Sequence, residues 1–458
     1  MEQRYTNNLK SRELNKKTLQ KTNSSPYLSI HIQPSILQGD LTIPPSKSHT
    51  LRAILFAFLA KGTSHIHQFL PSPDTYAMIE AVKSLGAKVE IEGETLHISG
   101  VSGKPSAAED VIQCGNSGLV LRLIGAIAGL IPHYTILTGD ASIRHKRPVK
   151  PLLSALTQLG AFATSSRGDN HAPILICGPL RQGKASLEAQ DSQPVSGLLI
   201  AAAFAPHPIE IHAINPGEKP WIDLTLHWLT KCKIPFIAKD HTYYRLEGNG
   251  QIESFTYKVP GDFSTAAFPI AAAILTGSSL TLHNLDMNEI QGDKELIPIL
   301  QKMGANLEID SENRKIHIHP GSSLQGQKID INTCIDALPI LAVIGCFAKG
   351  KTELVNCHIA RHKESDRIST IASELRKMGA LLEEKEDSLT IYPSSLQGAT
   401  LLSHHDHRIA LSLAMAALAS KNPSVLHDIG CIEKTYPEFI AQFQTIGAKI
   451  EKSNPLRI

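Results

Sequence analysis

Runs rich in Ala, Leu and Ile begin just after a small polar or acidic residue six times along the chain. These residues are Ser48, Ser117, Ser192, Ser264, Asp336 and Asp406, spaced 69, 75, 72, 72 and 70 residues apart. Ser and Asp favour helix starts because a side-chain oxygen takes an N–H group that the first turn leaves unpaired. A second marker keeps the same period: Leu85-Gly86-Ala87, Leu159-Gly160-Ala161, Met303-Gly304-Ala305, Met378-Gly379-Ala380 and Ile446-Gly447-Ala448. Glycine suits the left-handed position just past a helix end. Strand-like alternation follows, as in Lys88-Val89-Glu90-Ile91 and Thr95-Leu96-His97-Ile98. One glycine slot is empty, near Lys233-Ile234-Pro235, where a helical pattern still gives way to Pro235-Phe236-Ile237.

This periodicity predicts an α/β chain of six units, each reading strand, helix, strand, helix, strand, strand. Three such units can bury their apolar helices together beneath surrounding sheets, so six predict two similar domains. The division is expected near Lys258-Val259-Pro260-Gly261. Each unit's first helix would present an N-terminus whose free N–H groups and dipole favour anions. Like ends packed together on two opposed domains would form an anion-attracting cleft.

Composition narrows the ligand. The 458 residues exceed one ordinary core, and a formal net charge of +2 argues against a polyanion. The cations cluster in short motifs, which suits a small acidic ligand better than nucleic acid. Seven cysteines lack both CxxC spacing and an even count, so neither a zinc site nor a disulfide framework is expected, and a reducing cytoplasm fits. The run from Leu119 to Ile131 is broken by Arg122, and no segment has the length of a membrane span. Residues 1–25 hold six Lys/Arg and two acids with few apolar positions, so a solvated, disordered tail is expected through residue 27.

Candidate chemistry gathers at one phase of the repeat. The first helix opens Pro45-Ser46-Lys47-Ser48 with Arg52, two cations about a capping Ser48. The second opens Gly115-Asn116-Ser117-Gly118, where small residues allow close backbone approach. Arg144-His145-Lys146-Arg147-Pro148 follows, and Pro148 suits a first helical turn, which would set Arg147 at a helix start. Arg361-His362-Lys363-Glu364-Ser365-Asp366-Arg367 places three fixed cations where a helix dipole does not favour them, so packing explains it poorly. His404-His405-Asp406-His407-Arg408 and Lys434-Thr435-Tyr436-Pro437 complete the set; Arg408 and the spacing speak against zinc. Interleaved Asp336 and Glu364 suggest an acid and a base among cations that neutralise two anionic substrates.

Taken in order, these motifs, with Ser192-Gln193, Gly261-Asp262 and Asp336-Ala337, resemble the 3-phosphoshikimate 1-carboxyvinyltransferase (EPSP synthase) family of enolpyruvyl transferases from about residue 40 to the C-terminus. The resemblance implies two domains, each of three βαβαββ units forming an inside-out α/β barrel. The expected division is 28–46 with 259–458 in one domain and 47–258 in the other. It also implies transfer of the enolpyruvyl group of phosphoenolpyruvate to the 5-hydroxyl of shikimate 3-phosphate, on the way to chorismate and aromatic amino acids. Neither metal nor organic cofactor is expected, and a cytoplasmic monomer acting on small molecules, with no membrane or nucleic acid partner, fits that role.

Carried over by position, Asp336 would accept the hydroxyl proton and Glu364 would protonate the methylene carbon, with Lys47 and His407 also at the catalytic centre. Ser48 and Arg52 would hold the shikimate carboxylate, and Lys47, Ser192, Gln193, Asp336 and Lys363 would contact the rest of shikimate 3-phosphate. Lys47, Gly118, Arg147, Gln193, Arg367, Arg408 and Lys434 would bind phosphoenolpyruvate. Glu364 ringed by cations would have to be shielded or protonated to act as an acid.

Some positions depart from the family's pattern. Asp191 and Glu218 stand where phosphate-binding serines are common, Trp221 replaces a Tyr and Ile359 an Asn. Two carboxylates near a phosphate would repel it unless they turned outward or paired with Lys219. Leu119 and Leu123 stand where Thr and Pro are common, which implies a reshaped pocket less sensitive to glyphosate. UDP-N-acetylglucosamine enolpyruvyl transferase is the nearest rival, but Ala141–Arg147 carries no Cys at its expected place. A non-catalytic anion-binding scaffold is the other alternative, and retention of both Asp336 and Glu364 argues against it. So many cations in one cleft should repel each other, and the cleft should draw together around anions.

Overall fold

The computed structural model describes residues 28–453, so the expected tail lies outside the described residues. Six four-stranded sheets surround buried helices, all with one topology. The second unit is representative: strand Ile112–Gln113, helix Gly118–Ala128, strand Thr135–Thr138, helix Lys150–Gln158, then strands Phe162–Ser165 and Ile174–Cys177. Its first two strands pair in parallel, and the remaining pairings are antiparallel.

The repeat's glycines do what their spacing predicts. Gly86, Gly160, Gly304, Gly379 and Gly447 all have positive φ just past a helix. Lys233 takes the empty slot at φ 58°, so the third unit keeps the backbone geometry without the glycine.

Helix starts differ from the sequence expectation at four of six units. Ser117 and Asp406 are N-caps as expected, accepting from Val120 N and Arg408 N. In the first, third and fourth units Ser46, Asp191 and Asp262 cap instead, which moves Ser48, Ser192 and Ser264 inside the helix. Asp336 lies in a 3₁₀ turn, Asn332–Ala337, ahead of helix Leu338–Phe347, so its carboxylate is free for other partners. Arg147 is likewise not at a helix start: its helix begins at Lys150 and Pro151 takes the first turn. Pro148 instead leaves an acceptor carbonyl that binds Arg122 at 3.0 Å.

The core helices are apolar around their whole circumference, which only a fully enclosed helix tolerates. They bury into two separate clusters, one drawn from residues 51–259 and the other from 30–43 with 263–450. The chain crosses between the two halves twice, and each crossing strand pairs within its own half. Gln38–Thr42 pairs in parallel with Ser279–His283, and Thr256–Lys258 with Thr63–His67. Ser29–Gln33 enters the last sheet between Ser424–His427 and Lys449–Ser453. The two crossing segments touch each other: Ser46 N donates to Pro260 O at 2.7 Å, and Asp262 N to Pro44 O at 2.9 Å. Among the described residues no helix is long and apolar enough to cross a membrane.

Candidate active site

Five of the six core-helix starts converge on one cavity. It is lined by Lys47, Ser48, Arg52, Gly118, Arg147, Ser192, Gln193, Asp336, Lys363, Glu364, Arg367, His407 and Lys434, all of them predicted from sequence. Arg408 lies just behind, 3.3 Å from Asp336 Oδ2. The fourth start, which carries no cation cluster, supports the others: Asp262 Oδ2 accepts from Lys47 N, and Ser264 accepts from both terminal nitrogens of Arg408.

Asp336 and Glu364 share Arg367, with Arg367 Nη1 to Asp336 Oδ1 at 2.6 Å and Nη2 to Glu364 Oε2 at 2.9 Å. Asp406 holds that guanidinium from behind through Nε at 2.8 Å. Glu364 further binds Arg147 Nη2 at 2.6 Å and Lys434 Nζ at 2.7 Å. Burial opposes ionisation of Glu364, but Arg147, Lys434 and Arg367 overcome it and hold the carboxyl well below its usual range. Burial acts the same way on Asp336, and Arg367, Arg408 and Lys363 again prevail, keeping it ionised.

Other predicted residues fall into two environments. Arg52 is enclosed, with Nε on Thr225 Oγ1 at 3.0 Å and Nη2 on the Trp221 carbonyl at 3.1 Å. Among the described residues no carboxylate pairs with it, and burial lowers it to about 9, so a ligand carboxylate would stabilise its charge. Ser48 lines the same wall and offers its carbonyl to Arg52 at 3.3 Å. Burial also lowers Lys47, and Lys434 and Arg408 add to that while Asp74, at 3.8 Å, opposes it.

At Gly118 an added Cβ would lie 2.4 Å from Arg147 Nη1 and 2.8 Å from Arg122 Nη1. Only glycine lets those guanidiniums approach the helix start. His407 is 1% exposed, and neither ring nitrogen has a hydrogen-bond partner. Burial, then Lys47 and Arg408, push it well below its usual range, so it is neutral and does not supply a proton from an imidazolium.

Three expectations need correction. Asp191 and Glu218 neither turn outward nor pair with Lys219. Asp191 Oδ2 meets Arg122 Nε at 3.1 Å, and Glu218 Oε1 meets Lys363 Nζ at 2.5 Å. Leu119 does line the cavity, but Leu123 is wholly buried in the core. Finally, the cleft is not a field of unopposed cations. Lys47, Arg52, Arg122, Arg147, Lys363, Arg367, Arg408 and Lys434 face Asp74, Asp191, Glu218, Asp336, Glu364 and Asp406, most of them in the ion pairs above. Several pairs cross between the halves, and Lys434 Nζ also reaches Asn116 O at 3.0 Å.

The residues missed by sequence reasoning are Arg122 and Asp74. Arg122 looked like a break in an apolar run, and it sits one helical turn after Gly118, whose carbonyl it binds at 3.2 Å. Asp74 follows Pro73 at the start of the first unit's second helix and accepts from Ser117 Oγ at 2.9 Å. The available signal was repeat phase: Arg122 stands one period after Arg52, and Asp74 at the second-helix phase of Arg147 and Lys434.

Comparison with known proteins agrees with this geometry. The profile of the EPSP synthase (3-phosphoshikimate 1-carboxyvinyltransferase) family matches residues 32–443. The 3-phosphoshikimate 1-carboxyvinyltransferase of Chlamydia muridarum is 45% identical over 92% of this chain and 95% of its own length. That of Chlamydia caviae is 42% identical over 93% and 95%. A solved EPSP synthase from Acinetobacter baumannii superposes with a TM-score of 0.79 at 28% identity, covering 93% of this chain and all of that one. Shared sequence along nearly the whole length, and a cavity built from the expected motifs, mean that this chain belongs to the EPSP synthase family.

Proposed function

We propose that the chain transfers the enolpyruvyl group of phosphoenolpyruvate to the 5-hydroxyl of shikimate 3-phosphate, releasing phosphate and leading toward chorismate and the aromatic amino acids. The observation that carries this reading is the pair of carboxylates, Asp336 and Glu364, bridged by Arg367 in a cavity lined by cations from both halves. Arg52 and Ser48 hold the shikimate carboxylate; Ser192, Gln193 and Lys363 hold the rest of that substrate. Lys47, Arg147, Arg367, Arg408 and Lys434 hold phosphoenolpyruvate, which the helix start at Gly118 approaches closely.

Asp336 accepts the hydroxyl proton as the alcohol oxygen bonds to C2 of phosphoenolpyruvate, while Glu364 delivers a proton to C3. The product is a tetrahedral ketal phosphate. Loss of a C3 proton back to Glu364 and cleavage of the C2–O bond to phosphate then give the enol ether and phosphate, which carries off the proton held by Asp336. In this scheme Glu364 must first take up a proton. The carboxylate and phosphate of phosphoenolpyruvate supply the means, because they draw Arg147 and Lys434 off Glu364 and remove the charges that depress it.

We take the working halves to be 28–46 with 259–458 and 47–258, moving about the crossing segments, and we place the reaction in the cytoplasm. Free thiols at all seven cysteines support a reducing compartment. The test is a phosphate-release assay on purified protein. Release is expected only with both substrates present; release from phosphoenolpyruvate alone, or none with both, overturns the assignment.

A further inference from the structure

We propose that Glu218 is an internal anion at the phosphate end of the substrate cavity, and that the phosphorylated alcohol binds with one extra proton, shared between its phosphate and Glu218. The inference rests on the substrate reading above and names how that substrate is received.

Glu218 sits at the N-cap of helix Lys219–Lys231, yet its side chain caps nothing there. Its backbone is left-handed at φ 46° and ψ 38°, an unusual conformation for a residue with a Cβ. Asn332 Oδ1, from the other half, fixes its N–H at 3.0 Å. This geometry turns the carboxylate into the cavity, 2% exposed. There Oε2 accepts from Ser192 N at 3.2 Å and Ser192 Oγ at 3.3 Å, and Oε1 accepts from Lys363 Nζ at 2.5 Å. A helix-start N–H, a hydroxyl and an ammonium form an oxyanion site, and the protein's own carboxylate fills it.

An incoming phosphate needs those same donors, and the pinned backbone leaves Glu218 beside it. Asp191 stands next to it, held by Arg122 and capping Gln193 N at 3.0 Å. Two carboxylates and a phosphate dianion would bring four negative charges against the two positive ones of Lys363 and Arg122, a net repulsion. One proton placed between Glu218 Oε2 and a phosphate oxygen turns the closest repulsion into an O–H···O hydrogen bond. The charged and titratable groups about Glu218 are Lys363 and His362 on one segment, Asp191 with Arg122 behind it on another, and Lys219 next in sequence. Burial and Asp191 push Glu218 upward while Lys363 opposes them, so its carboxylate takes a proton more readily than an exposed one.

The test is calorimetric titration of the full chain with shikimate 3-phosphate alone at about pH 8, where a free phosphate monoester is dianionic, in two buffers of different ionisation enthalpy. The wild type should take up close to one proton, and affinity should fall about tenfold per pH unit above that point. Glu218→Gln and Glu218→Ser should each bind with uptake near zero and a flat pH profile, and two variants guard against one misfolding. His362→Asn should keep the uptake. No uptake by wild type, or uptake that survives in both Glu218 variants or disappears in His362→Asn, overturns the proposal. No binding of shikimate 3-phosphate at all overturns the substrate assignment, and this inference with it.

Discussion

Replacing Glu364 by Gln separates the cost of loading the proposed catalytic acid from the chemistry it would perform. In the structure the carboxylate is 8% exposed and binds Arg147 at 2.6 Å, Lys434 at 2.7 Å and Arg367 at 2.9 Å. Those cations outweigh burial and hold its pKa well below the usual glutamate range. Holding a proton on it at pH 7 therefore costs at least about 3 kcal/mol, since each pH unit is worth about 1.4 kcal/mol. Wild type must meet that cost when phosphoenolpyruvate binds productively. Gln is already neutral, has nearly the same shape, and still offers an oxygen to one cation. Phosphoenolpyruvate should thus bind the variant's shikimate 3-phosphate complex more tightly, by roughly 10- to 100-fold. Turnover should fall by about 10²- to 10⁴-fold, the usual contribution of a general acid. Binding can be followed by fluorescence, because Trp221 lines the cavity and the chain has only two tryptophans. Turnover is read from phosphate release. Weaker phosphoenolpyruvate binding by Glu364→Gln, or turnover within threefold of wild type, would refute the idea that substrate anions displace this carboxylate's counter-ions.

Three further outcomes follow from the same geometry. Gly118→Ala puts a Cβ 2.4 Å from Arg147 Nη1, and Glu364 limits that side chain's retreat, so KM for phosphoenolpyruvate should rise by about 10- to 100-fold while shikimate 3-phosphate affinity stays within about threefold in binary titrations. Stability should fall in two separate acid windows. Buried His407 has a depressed pKa, so the unfolded chain alone gains its proton below about pH 6.5, at up to about 1.4 kcal/mol per unit; Asp336 and Glu364, also depressed, contribute stability above about pH 4 that is lost as pH falls through their folded values. Urea midpoints between pH 7 and 3 should show both, and His407→Gln should flatten the upper window only. Glyphosate should compete weakly with phosphoenolpyruvate, and since Leu123 is enclosed in the core, Leu119→Thr alone should increase inhibition in the phosphate-release assay.

The period near 70 residues was legible because apolar helices and glycine helix ends are local signals that six copies reinforce. The strand exchange was not a local signal. Gln38–Thr42 and Thr256–Lys258 alternate like other short strands, and nothing in either segment says which sheet receives it. The cations of the site were readable because a cluster such as Arg361–Arg367 makes no sense on a helix start without an anion. Which anion each one meets was not readable. Glu218 is 145 residues from Lys363, and Arg147 is 217 from Glu364, so the pairs exist only after folding brings the unit starts together. A two-residue error in capping, Ser48 for Ser46, also had a physical source: either serine can cap, and the chain's entry beside Pro260 selects the earlier one.

Those long-range pairs alter how the cleft should be understood. Cations alone would bind any small anion and would strain the folded chain by mutual repulsion. Here each principal anion-binding group except Arg52 already has a protein carboxylate near it, so a ligand gains only the difference between its contacts and those it displaces. An isolated phosphate can replace one carboxylate at one subsite and gains little. Two substrates that occupied Lys363 with Ser192 at one end and Arg147 with Lys434 at the other would take the donors of Glu218 and Glu364 together, and each carboxylate would lose its counter-ions where the proposed reaction needs a proton. The carboxylates that lower affinity for stray anions are thus the ones whose proton uptake the bound substrates promote. Selectivity and the readiness of the acid come from the same exchange of partners, and neutralising one side of it, as in Glu364→Gln, should raise affinity while abolishing most of the catalysis.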